Sequence, residues 1–136
     1  MEIKQKEITL KNNEKALLSI TNDNNDDFFI ITATNNYNEK IGYASFKITK
    51  KTCFLFKIEI TSTNYSHMGL GSKMLEYMEE FALGKFCNFI DGKFFPFGEL
   101  GQYAKDFYTK HGYIISKEGY ETFVSKYIDH CKTTTL

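Results

Sequence analysis

Residues 66–73 read Ser-His-Met-Gly-Leu-Gly-Ser-Lys, a run suited to holding an anion. Two glycines one residue apart, at the head of a stretch with helical periodicity, leave several amide N–H groups unpaired and aimed at one point. Glycine also removes the side chains that would keep a bulky anion off the backbone. The helix macrodipole adds roughly half a positive charge at the same place. The chemistry this suggests is capture of a diphosphate. The run is not a Walker loop, because the Gly-Lys-Ser/Thr ending is absent. Nor is it a full dinucleotide fingerprint, because Lys73 and Met74 stand where a third glycine belongs. Gly-x-Gly alone serves equally well as a tight packing turn, so the elements around it decide.

Residues 53–61, just upstream, form the clearest strand pattern of the chain. Phe54, Phe56, Ile58 and Ile60 point one way, and Leu55, Lys57 and Glu59 the other. Downstream, over residues 69–86, Leu70, Met74, Leu75, Met78, Phe81 and Ala82 recur at helical spacing, and Gly84 marks the end. Strand, glycine turn and helix N-terminus in that order are what an anion cradle needs. Further upstream, residues 3–10, 16–20, 28–34 and 41–49 read as strands, interrupted by an Asn/Asp-rich turn at 21–27. After the helix, residues 86–91 read as a buried strand. Residues 92–98 form a loop holding Pro96 among Phe94, Phe95 and Phe97. A second helix spans about 99–111, with Leu100, Tyr103, Ala104, Phe107 and Tyr108 on one face. Gly112 sits where a left-handed C′ residue belongs, with Tyr113 closing it. Residues 113–116 and 122–128 complete the pattern as a strand pair. The order is four or five strands, helix, strand, helix, two strands. It predicts a single α/β domain over residues 1–136.

Bulk properties narrow the function. Acidic and basic residues number 17 each, and the zero formal charge argues against a nucleic-acid binder. Every basic residue is lysine, so a phosphate site must rely on backbone amides and ammonium groups rather than guanidinium forks. The N-terminus lacks a signal-peptide pattern, and no apolar run approaches the ~18 residues that would suggest a membrane span. Cys53, Cys87 and Cys131 are too scattered for a C-x-x-C pair and read as reduced thiols. Cytoplasm is the expected compartment. No cluster has metal-ligand spacing, so no metal is expected.

Gly69-Leu70-Gly71-Ser72-Lys73-Met74-Leu75, a short strand, and then Ala104-Lys105-Asp106-Phe107-Tyr108-Thr109-Lys110-His111-Gly112-Tyr113 resemble the GNAT superfamily of N-acetyltransferases. The first segment resembles its R/Q-x-x-G-x-G/A acyl-CoA motif, and the second its more specific A-x-x-F-Y-x-x-x-G-F/Y signature. The resemblance covers about residues 41–127. It implies an α/β (α+β) fold with a mixed, strongly bent sheet and helices on both faces. It further implies that the amides of Met68, Gly69, Leu70, Gly71 and Ser72 hold the pyrophosphate of acyl-CoA, with Lys73 and Lys110 near phosphate oxygens. Ile58 and Ile60 would pair their backbones with the pantetheine arm; a one-residue offset in spacing makes Ile60 and Thr61 interchangeable. Tyr108 would give a proton to the leaving thiolate, for which its ordinary pKa near 10 is well matched. Glu59 is the first choice for a base, ahead of His67, Glu99 and Asp91.

The chain departs from the family pattern in places. Ser66 occupies the R/Q position, and Gly101 stands where Asn is frequent. Residues 11–27 are too few for the helix pair that usually follows the first strand, so that pair is reduced or absent. The acceptor pocket is therefore open or differently built. The function implied is transfer of an acetyl group from acetyl-CoA to a primary amine by direct attack, in a monomer or a homodimer. The alternative is a non-catalytic acyl-CoA-binding or protein-interaction module on the same fold.

Overall fold

The computed structural model describes residues 2–22, 27–94 and 98–128. Phe95, Pro96, Phe97 and Cys131, named above, lie outside them. The described residues form β1 (Glu2–Thr9), β2 (Lys15–Asn22), β3 (Phe28–Thr34), β4 (Lys40–Thr49), β5 (Thr52–Ile60), α1 (Leu70–Gly84), β6 (Phe89–Phe94), α2 (Gly98–Lys110), β7 (Ile114–Glu118) and β8 (Glu121–Tyr127). The strands make one sheet in the order β1-β2-β3-β4-β5-β6-β8-β7. All neighbours are antiparallel except β5 and β6, whose parallel pairing requires a crossover, and α1 supplies it.

Helix α1 forms where the periodicity places it. All six apolar residues of its expected inner face are buried, and Tyr77 joins them. Phe81 packs edge-on against Phe29 and Phe46, with ring centroids 5.0 and 6.0 Å away. Each such large side chain contributes about 1.5–3 kcal/mol by leaving water, so this face is what holds the helix to the sheet. Gly42 lets its first turn come close. A Cβ there would lie 2.9 Å from the Glu59 carbonyl oxygen and 3.2 Å from Leu70 Cδ2.

The structure corrects the sequence reading in two places. First, β5 does not keep one alternation. Ser45 pairs with Lys57 and Phe46 with Leu55, which leaves Phe56 as an extra, bulged residue. Cys53 and Leu55 are buried towards α1 while Phe54 and Phe56 are exposed; past the bulge, Ile58 and Ile60 take over the α1 side. One inserted residue shifts a period of two by one position, so the two phenylalanines do not share a face with the two isoleucines. Second, β6 begins at Phe89 rather than 86 and runs through Gly92 to Phe94. Phe86 instead sits in a turn with φ 65°. Gly92 pairs with Leu55 and Val124 in the sheet, and glycine suits the position because a Cβ there would stand 3.0 Å from the Leu55 carbonyl oxygen. As the short 11–27 segment implied, β1 turns directly into β2 with no helix pair between them, and α2 meets the first turn of α1. Phe107 approaches Gly71, and His111 Nε2 lies 2.8 Å from Ser72 Oγ.

Candidate functional site

The last β5/β6 pair is Leu55 with Gly92; from there β5 continues to Ile60 alongside β4 alone. Thr61 N–H donates to the Ile41 carbonyl at 2.9 Å. That bond makes Gly42/Ile60 a non-hydrogen-bonded pair, and by alternation Ala44/Ile58 is another. The N–H and C=O groups of Ile58 and Ile60 therefore point away from β4, into the gap that β6 has left. Thr61 has spent its amide on Ile41, and its hydroxyl donates to the Lys40 carbonyl at 3.4 Å. Of the two interchangeable positions, Ile60 has the free backbone. Gaps beyond the carboxyl ends of parallel strands are where ligands bind in open α/β sheets.

From β5 the chain passes through a short 3-10 turn at Thr63–Tyr65 to Gly69, the N-cap of α1. Gly69 has φ 83° and no side-chain cap. Among the described residues nothing accepts from the amides of Met68, Gly69, Leu70, Gly71 or Ser72. A Cβ on Gly71 would lie 3.5 Å from Phe107 and 4.0 Å from Ile58, so glycine keeps a slot open between β5 and α2. The gap, the loop and α2 enclose a cavity of about 470 Å³, in the range of small-molecule sites. Ile58, Ile60, residues 68–73, Tyr108 and Lys110 all line it. Every expected binding residue except Thr61 is thus brought together, and Glu59 is not among them. Lys11, Tyr65 and Tyr103 also line the cavity, and nothing in the local pattern announced them.

Tyr108 is half-buried among Phe94, Phe107 and Tyr113. Its hydroxyl has no hydrogen-bond partner among the described residues, and burial pushes its pKa up to about 12. It therefore keeps its proton at neutral pH. Tyr113 beneath it donates to Glu79 Oε2 at 2.7 Å, and Lys126 pairs with the same carboxylate at 3.1 Å. Two further ties hold α2: Tyr103 to His67 of the loop at 3.3 Å, and His111 to Ser72 in the first turn of α1. Burial lowers the His111 pKa, favouring its neutral form.

Glu59 faces away from this cavity. Lys57 pairs with it at 2.8 Å, and Tyr43 hydroxyl donates to it at 3.3 Å. The Lys57 hydrogen bond and charge hold its carboxyl below the usual range, which makes it a poor proton acceptor. A second cavity, of about 530 Å³, opens on that other face where β5 and β6 part. Leu55 and Gly92 are at its floor, Phe54, Phe56 and Phe123 are in its wall, and Asp91 and Glu118 bring carboxylates. Its lysine, Lys93, is neutralised by Glu121 at 2.7 Å. Burial raises the Asp91 pKa. Among the described residues no group of three or more His, Cys, Asp or Glu is placed to hold a metal.

A model of the Acetyltransferase (GNAT) family matches residues 3–113. The chain belongs to that family. Its described fold, an eight-stranded mixed sheet flanked by two helices, is the GNAT fold. The GNAT domain of S. lividans PAT superposes with a TM-score of 0.78 at 9% identity, covering 91% of this chain and 97% of that one. PaiA N-acetyltransferase from Thermoplasma acidophilum, solved with coenzyme A, gives 0.65 at 18% identity over 75% of this chain. The match spans 62% of the PaiA chain. A GNAT acetyltransferase from Elizabethkingia anophelis, solved with acetyl-CoA, gives 0.63 at 16% identity, covering 75% and 77%. No curated protein sequence matches. GNAT membership supports an acyl-transfer role. No helix among the described residues is long and apolar enough to cross a membrane.

Proposed function

We propose that this GNAT chain is an N-acyltransferase that moves an acetyl group from acetyl-CoA to a primary amine. The observation that carries the proposal is the convergence of two sets of free backbone groups on one cavity. The amides of residues 68–72 meet it at the α1 N-terminus, and the edge of Ile58 and Ile60 meets it along β5. The slot above Gly71 fits the group: amides and the helix dipole suit a diphosphate, and a strand edge suits an amide-bearing arm. Once bound, acyl-CoA supplies a thioester carbon open to attack.

The residues of the chain do the rest. Tyr108 holds a proton for the departing sulfur in a half-buried aromatic setting. The second cavity, on the opposite face where β5 and β6 part, is assigned to the acceptor. Its aromatic rings and two carboxylates suit an ammonium-bearing molecule. Asp91, with a raised pKa, is a better candidate than Glu59 to take the amine proton. As the N–C bond forms and the C–S bond breaks, that proton leaves through Asp91 and Tyr108 protonates the thiolate. Holding amine and thioester together supplies much of the rate.

Calorimetric titration with acetyl-CoA, then thioester turnover with polyamines, aminoglycosides, amino acids and peptides, tests this reading. Tyr108→Phe should slow turnover about a hundredfold while leaving the acetyl-CoA Kd nearly unchanged. Unchanged turnover would remove Tyr108 from the mechanism. Binding without turnover on any amine would leave a non-catalytic acyl-CoA-binding module.

A further inference from the structure

Ser66, which stands where the family motif carries a side chain able to reach the cofactor, does not line the cavity at the α1 N-terminus. A residue from a distant part of the chain does. Lys11, in the β1–β2 turn, donates its backbone N–H to the Met68 carbonyl at 3.0 Å. Its stem runs across Gly69, with Cε 3.5 Å and Cγ 3.6 Å from where a Cβ would be. The turn is a built element. Leu10 is buried, the Asn13 amide donates to the Leu10 carbonyl, and Asn12 Oδ1 accepts from the Glu14 amide. The Glu14 carboxylate in turn accepts from Tyr65 hydroxyl at 2.9 Å, on the loop leading to Gly69. The turn is thus docked to the loop at two points, and it lays an alkyl chain over the glycine that caps α1. The Lys11 ammonium pairs with no carboxylate among the described residues.

We infer that Lys11 binds the diphosphate, bringing from the β1–β2 turn a charge that the short, neutral Ser66 does not offer. The inference rests on the acyl-CoA reading above. Where the family builds helices, this chain builds a tight turn, and the turn brings a positive charge to the open helix end. Chemically, one ammonium joins the free amides on a doubly charged group; this is worth about tenfold in affinity for a partly exposed charge-assisted hydrogen bond.

The test is calorimetry with coenzyme A, dephospho-coenzyme A and phosphate-free pantetheine against wild type, Lys11→Met and Lys11→Arg. Lys11→Met keeps the stem over Gly69 and the backbone bond to Met68, so folding is not at stake. It should weaken coenzyme A and dephospho-coenzyme A by the same factor of about ten, leaving pantetheine unaffected; Lys11→Arg should restore most of the affinity. An equal weakening for pantetheine would make Lys11 a structural prop, and one confined to coenzyme A would move the ammonium to the 3′-phosphate. Either would overturn the assignment. Wild-type binding undiminished in Lys11→Met sinks this inference alone, whereas a wild type that binds no coenzyme A sinks the acyl-CoA reading with it.

Discussion

Up to Leu55, β5 is hydrogen-bonded on both sides, by β4 and by β6, with Cys53 and Leu55 sealed under α1. After the bulge at Phe56 the same strand keeps β4 and loses β6, and its outer edge looks into a cavity. The first half is core and the second is surface, although both are rich in large apolar residues. Burial of apolar side chains therefore does not distinguish a structural strand from a binding one. The distinction lies in where the backbone donors and acceptors go. In the first half they are spent within the sheet. In the second, those of Ile58 and Ile60 have no partner among the described residues, and neither do the amides of the α1 N-terminus.

The most direct way to break this contrast is to fill the slot beside the open half. In Gly71→Val, branched methyls would stand against Phe107 and over the free amides. Coenzyme A affinity should fall about a thousandfold, as expected when several charge-assisted hydrogen bonds are removed together. Overpacking at the rim should cost only about 1–3 kcal/mol of stability, so the chain remains folded. Calorimetry paired with thermal unfolding reads both, and a folded variant that still binds tightly would show that the open half does not take the diphosphate.

The gap between the strands also separates two carboxylates. Asp91 lines the second cavity with a pKa raised by burial, and Glu59 lies on the strand edge with its carboxyl held down by Lys57. If the acceptor enters where β5 and β6 part, Asp91→Asn should lower kcat about a hundredfold at neutral pH and Glu59→Gln should change it little. The wild-type rate should fall on the acid side with a midpoint above the ordinary Asp value, because the neutral carboxyl is favoured there. The opposite ranking of the two variants would return the proton to Glu59 and place the chemistry on the exposed strand edge.

Much of this was legible in the residues. The buried face of α1 follows from Leu70, Met74, Leu75, Met78, Phe81 and Ala82, and the end of α2 from Gly112, whose φ is 86°. The glycine run announced the free amides, because local geometry alone creates them. The bulge was not legible. Phe54, Phe56, Ile58 and Ile60 make a faultless alternation in one dimension, and only the pairing with β4 shows an extra residue. Lys11 was invisible for a different reason: it meets Met68 across 57 positions, and no pattern of local spacing reports a meeting made by tertiary docking. Nearness to the end of the strand favours Glu59, but its own alternation with Ile58 and Ile60 turns it away from the cavity.

The smallest expected effect concerns the tie between the helices. His111 holds Ser72, at the first turn of α1, and so keeps α2 as the wall facing the open half of β5. Its folded-state pKa lies below the ordinary imidazole value near 6.5, chiefly because burial penalises the cation. Between those two values the unfolded chain binds more protons than the folded one. The contribution is therefore fully present above about pH 6.5 and is lost as pH falls through the folded value. His111→Gln, which cannot titrate, should lose about 2 °C less in Tm than wild type between pH 7.5 and 5.5. Identical acid sensitivity in the two proteins would mean that this imidazole is as well solvated folded as unfolded. The wall of the cavity would then be held by the aromatic packing of Phe107 and Tyr108 rather than by the hydrogen bond.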